Sequence, residues 1–209
     1  MSQWCSLRPI LYLGKTAERP ESELWRGAQE ELNKPIFRGM TLLQAYLGRF
    51  DEVNVRLERM LARRPKITSR EDVTPAWLDA TYLESAILAD NRRATEVLLQ
   101  RFADNTLSTS GNNWPTCIPR QLGGAAALLG RHGEARQHYH EAIRVCTEMR
   151  FRPELALTRL QLAELLLDHY PDEKNVALEH LDFAIKEFRE MKMQPSLERA
   201  LRRKEILKA

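Results

Sequence analysis

Four positions constrain this chain more than any others. Val53, Ala94, Ala135 and Ala177 hold the same place in a similar two-helix pattern, 41, 41 and 42 residues apart. Three nearly equal intervals require internal repetition, and periods of roughly 20–50 residues belong to arrays of small stacked units. The pattern is clearest over residues 118–143, IPRQLGGAAALLGRHGEARQHYHEAI. Small residues from Gly123 to Ala127 let a second helix approach closely. Ala135 sits where that helix crosses, and Tyr139 fills the gap beyond. Gly123 and Ala135 are expected to face each other, with room for little more than a methyl group. Gly130 and Gly133 flank the joint, where a reversing chain needs permissive backbone.

The same unit can be traced along the chain. Repeats fall at about 34–66, 75–103, 116–149 and 153–191, followed by a capping helix at 195–208. Residues 1–19 form an N-terminal arm, in which Leu7, Ile10, Leu11 and Leu13 suit a short helix or an extended strap. A first helix is predicted over 20–32, with Leu24, Ala28 and Leu32 on one stripe. Thr74 reads as an N-cap and Pro75 as the first helical residue of its repeat. In the cap, Leu197, Leu201 and Ile206 are expected to face the fourth repeat, leaving Arg199, Arg202, Arg203 and Lys204 in water.

Leucine outnumbers valine 31 to 6, and no run alternates β-branched residues, so the fold class is all-α. A net charge of +3 with 29% charged residues describes a mixed, solvated surface and argues against a nucleic-acid partner. Cys5, Cys117 and Cys146 are odd in number and widely spaced, which points to a reducing compartment without a disulfide framework. No apolar run is long enough to span a membrane, and the N-terminus lacks the pattern of a secretory leader. A cytoplasmic address is expected.

Little in the sequence selects chemistry. Gly14-Lys15-Thr16 looks like the end of a phosphate loop, but Pro9 stands where that loop needs glycine. His132, His138 and His140 lie near Glu134, Glu141 and Cys146, yet His138 and His140 are two apart and point to different sides of a helix. We therefore expect no metal, no cofactor and no catalytic group. Cys117 and Cys146 read as packing residues. Arg59, Arg63, Arg64, Lys66 and Arg70 read as a solvated helix end. The polar connection 104–119, with Trp114 near its end, reads as a spacer between repeats.

Leu122-Gly123, Ala126, Ala135, Tyr139 and Ala142 resemble the signature L-G-x-x-Y…A-x-x-x-F of the tetratricopeptide repeat. From residue 82 to 207 the chain also resembles the C-terminal helical regions of bacterial STAND-type ATPase, cyclase and transcription regulators. The resemblance implies a right-handed solenoid of antiparallel helix pairs, whose first helices line a groove. Its inward position would hold Arg38, Asp79 and Arg120, with Tyr46, Leu83, Ile87 and Leu128 as apolar surface nearby. It implies a non-catalytic scaffold that binds a protein or peptide. The alternative is a regulatory or sensor arm acting intramolecularly or through homo-oligomerisation. A structural role for the charges is the competing expectation, with Asp79 pairing to Arg38 or Arg120.

Overall fold

The computed structural model describes residues 7–14, 36–104, 106–110 and 115–206. Among these residues the chain is all-α, with ten helices, one 3-10 turn and no β-strand. The helices are α1 (Leu7–Leu13), α2 (Ile36–Tyr46), α3 (Phe50–Arg63), α4 (Ala76–Leu88), α5 (Arg92–Arg101), α6 (Ile118–Leu128), α7 (His132–Glu148), α8 (Arg152–His169), α9 (Lys174–Glu190) and α10 (Gln194–Ile206). The 3-10 turn, Pro171–Glu173, separates α8 from α9. The helix predicted over 20–32 and the side chain of Trp114 lie outside the described residues.

One turn geometry joins five of these helices to the next. Gly48, Asp90, Gly130, Arg150 and Lys192 all have positive φ, between 52° and 80°. In each case the following N–H donates back five residues: Arg49 to Gln44, Asn91 to Ala86, Arg131 to Ala126, Phe151 to Cys146 and Met193 to Phe188, at 2.8–3.0 Å. This is the Schellman closure, which satisfies carbonyls left open at a helix end. The residue after the left-handed one starts the next helix at once. Among these five turns, Asn91 alone caps with its side chain, accepting from the Ala94 N–H at 2.8 Å.

Gly133 lies within α7 and is not among the residues with positive φ, so Gly130 alone carries the reversal there. No atom lies within 4 Å of a Cβ built on Gly130, so Gly130→Ala isolates the backbone cost. It is expected to lower stability by about 1 kcal/mol. Arg150→Gly should raise stability by about 0.5 kcal/mol, because relief of the left-handed strain is partly offset by the freer unfolded chain. Paired urea melts of the two variants check both signs.

The described residues form two compact units, one of residues 7–11, 36–104, 106–110 and 115–116, the other of residues 12–14 and 117–206. In the first, α2 packs on α3 and α4, and α4 packs on α5. In the second, α6 to α9 each pack on their successor, and α8 also touches α6 and α10. The crossing residues Val53, Ala94, Ala135 and Ala177 are all 0% exposed. The residues four positions on, Leu57, Leu98, Tyr139 and Leu181, are buried with them. Four equivalent pairs of buried positions explain the period physically, since each helix pair closes over the same two sites.

Three local expectations need correction. Gly123 faces Tyr139 rather than Ala135: a Cβ built on it would lie 2.6 Å from the ring's Cδ1 and Cε1. Because that ring is only 2% exposed and cannot swing away, Gly123→Ala is expected to cost about 1–3 kcal/mol by overpacking. A thermal melt unchanged from the parent would refute it. Pro75, not Thr74, is the N-cap of α4, in extended backbone and with no side-chain cap bond, while the Thr74 N–H donates to Asp72 Oδ1 at 2.9 Å. In α10, Ile206 is 67% exposed. The stripe that begins at Leu197 runs through Ala200 and Leu201 to position 204, so 206 falls off its edge. Of the basic residues of α10, Arg199 and Arg202 are exposed as expected and Arg203 and Lys204 are half-buried, but Arg199 and Arg203 are also paired. Arg199 grips both oxygens of Glu164 at 2.7 and 2.5 Å, and Arg203 reaches Asp168 at 2.5 Å.

Candidate functional site

Arg120 and Glu154 stand at the same place in consecutive first helices, each three residues past the N-cap of α6 or α8. That placement brings them together in the second unit. Glu154 is 0% exposed, and Oε2 accepts from Arg120 Nε at 2.7 Å and from the Cys117 N–H at 2.7 Å. Its Oε1 accepts from Arg120 Nη2 at 3.1 Å and from the Tyr12 hydroxyl at 2.5 Å. A buried carboxylate is tolerable only when matched in this way. Arg120, expected to line a groove, is thus buried in a two-pronged pair. Leu128, at the far end of α6, is half-buried.

In the first unit, Asp79 is also fully buried. It takes Arg64 Nη1 at 2.6 Å, Arg64 Nη2 at 3.2 Å and Arg101 Nε at 3.2 Å. The structural role expected for Asp79 therefore has different partners from those named from the sequence. Arg64 also holds Asp72 through two bonds of 2.9 and 3.0 Å. Its reading as part of a solvated helix end is wrong, although Arg59, Arg63, Lys66 and Arg70 are exposed. Arg64 is the C-cap of α3 and turns inward toward two carboxylates. The Arg64 bonds hold the Asp72 carboxyl well below the usual carboxylate range. Burial works against the Arg64 charge, but Asp72 and Asp79 outweigh it and raise its pKa.

Arg101 completes this cluster by donating to the carbonyls of Ser69, Asp72 and Thr74. It could have been found from the repeat. Seven residues past the crossing position the chain has Met60, Arg101, Ala142 and Ala184, so one cation interrupts an otherwise apolar register. Glu154 left no such trace, because a glutamate in the first turn of a helix is ordinarily explained by the helix dipole.

The other nominated residues separate by burial. Leu83 is fully buried, and Tyr46 and Ile87 are half-buried. The Tyr46 hydroxyl donates to Glu84 Oε1 at 2.8 Å. Glu84 is 3% exposed and also receives Arg8 Nη1, 2.8 Å from Oε1 and 2.7 Å from Oε2. The side chain of Arg38 lies outside the described residues.

Cys117 and Cys146 are buried together with Ala142 and Val145. A hydrogen bond between the thiols lowers the pKa of Cys117 and raises that of Cys146. Among the described residues, no three of His, Cys, Asp and Glu converge as metal ligands. The His132 ring stacks on that of His169, with centroids 3.5 Å apart.

His180 lies beside Arg159, whose guanidinium sits over the Phe183 ring at 4.2 Å. Burial, then the charges of Arg159 and His140, push the His180 pKa down to about 4. The unfolded imidazole titrates near about 6.5. Between those values only the unfolded chain binds the proton, so stability that is full above pH ~6.5 is lost as pH falls toward ~4. His180→Gln should flatten that slope by about 1 kcal/mol, once solvent screening of a half-buried group is allowed for. Denaturation midpoints at pH 7 and pH 4.5 measure it.

No protein-family model matches the chain, nor does any curated protein or solved structure show significant similarity to it. No helix among the described residues is long and apolar enough to cross a membrane.

Proposed function

We propose that this chain is a non-catalytic interaction scaffold of tetratricopeptide-like helix pairs, which takes a protein or peptide against its first helices. The observation that carries this reading is the fourfold recurrence of one packing site, Val53, Ala94, Ala135 and Ala177, each fully buried. A repeated pair cannot bury its faces alone, and stacking such pairs within a unit leaves a face for recognition. The buried charges support the non-catalytic part of the reading. Asp79 and Glu154 are neutralised by arginines within their own units, an arrangement that orients helices and holds no reactive group in waiting. Recognition then falls to half-buried apolar positions, Tyr46 and Ile87 in the first unit and Leu128 in the second.

The test uses the whole chain as bait in lysate, beside Ile87→Glu and Leu128→Glu variants with unchanged melting temperatures. A partner held stoichiometrically by the parent and lost by either variant supports the scaffold. Equal retention by all three chains, or none by the parent, refutes it.

A further inference from the structure

Among the described residues of the second unit, one half-buried cation meets no carboxylate. Arg120, Arg136 and Arg203 are buried or half-buried there, and each holds a carboxylate at 2.5–2.7 Å. Arg159, half-buried on α8, bonds instead to His180, and its Nε is buried without a partner. Burial lowers the Arg159 pKa with no carboxylate to oppose it, whereas at Arg64 two carboxylates reverse the same effect. Removing an unpaired charge from water is unfavourable, so folding alone does not account for this arginine.

The packing of α8 on α9 gives the pattern from which Arg159 departs. Arg152 takes Glu187 and Glu190 of α9, at 2.8 and 2.5 Å. Two helical turns further along α8 stands Arg159, and two turns back along α9 stand His180 and Phe183. The same offset, seven residues on each helix, thus brings Arg159 to an imidazole and a phenyl ring where Arg152 meets two carboxylates.

Those two groups hold the guanidinium without neutralising it. Its Cζ lies 4.2 Å from the centroid of the Phe183 ring, which covers one face and leaves the N–H groups in the guanidinium plane. Nη1 lies 3.4 Å from His180 Nδ1. A guanidinium only donates, so Nδ1 accepts and the imidazole adds no charge. The Nη2 end of the fork is left to face a ligand.

We propose that Arg159, held by His180 and Phe183, is a binding site for an oxyanion, the phosphoryl or carboxylate group of a ligand. The anion takes the place that Glu187 and Glu190 hold at Arg152, and accepts charge-assisted bonds from the guanidinium. The site stands apart from the scaffold reading, since neither uses the other's residues.

The test titrates sodium sulfate and sodium acetate into the full chain at pH 7, with ionic strength held constant by sodium chloride. The readout is the His180 ring Cε1–H resonance, identified by its absence from His180→Gln. Arg159→Met keeps a long apolar stem over Phe183 without the charge, and Arg202→Met removes an exposed charge as a control. We expect saturable binding to the parent and to Arg202→Met, and at least tenfold weaker binding to Arg159→Met. Tighter binding of sulfate than of acetate assigns the site to a phosphoryl group, and the reverse assigns it to a carboxylate. Either order supports the proposal.

Arg159→Met should also melt at or above the parental temperature, because an unmatched charge has been removed. Equal affinity in the parent and Arg159→Met overturns the proposal, as does a response that never saturates. So does equal weakening in Arg202→Met, which would make binding a matter of net charge. A lower melting temperature in Arg159→Met overturns it as well, since the guanidinium would then serve the fold.

Discussion

Arg120→Ala is expected to destabilise the second unit by about 3–5 kcal/mol, because it leaves the Glu154 carboxylate buried without its cation. The Tyr12 hydroxyl and the Cys117 N–H would remain, but neither carries a full charge. The carboxyl would respond by holding a proton, so the loss should be smaller at acid pH than at neutral pH. Replacing the pair together, Arg120→Met with Glu154→Leu, should recover most of the loss, since apolar isosteres of a buried ion pair are often neutral. Urea melts of the two single variants and the double variant form a cycle that isolates the coupling. A cost below about 1 kcal/mol for Arg120→Ala would mean that the pair is solvated. It would also return Arg120 to the candidates for a recognition face, as would lost partner affinity at unchanged stability.

Arg64→Ala should have a comparable effect, about 3–5 kcal/mol, in the first unit. It strips one cation from two carboxylates, Asp79 at 1% side-chain exposure and Asp72 at 8%. Arg101 would remain beside both, at 3.2 Å from Asp79 and 3.9 Å from Asp72. Arg101→Ala is expected to cost less in global stability. It should increase amide exchange across residues 69–74, whose carbonyls it holds. If Arg64→Ala instead melts with the parent, the buried cluster is not what closes α3 onto α4. A double variant of Arg64 and Arg120 should show additive losses if the two clusters are energetically independent.

Much of the local architecture was legible from periodicity. Leucine and alanine at helical spacing established the class, and the 41-residue interval located four crossing sites that proved fully buried. Gly130 announced one reversal. Asp90, Arg150 and Lys192 make the same reversal without glycine, so their turns could not be told from composition. There the Schellman bonds and the buried helices on both sides hold a left-handed residue against its preference.

The candidate site was less legible, and the reason is physical. Hydrophobic spacing reports which face of a helix is buried, since burial scales with apolar area and repeats with the helical period. The sequence alone therefore determined the all-α class and the burial of the four recurring positions. A charge carries no such periodic signal, because its cost depends on whether a partner of opposite sign arrives at hydrogen-bonding distance. Only tertiary packing brought Arg64 and Arg101 to Asp79, Arg120 to Glu154 and Arg8 to Glu84. Those meetings turned residues that looked like an open polar groove into buried pairs, because desolvating either charge alone is unfavourable and desolvating both together is not.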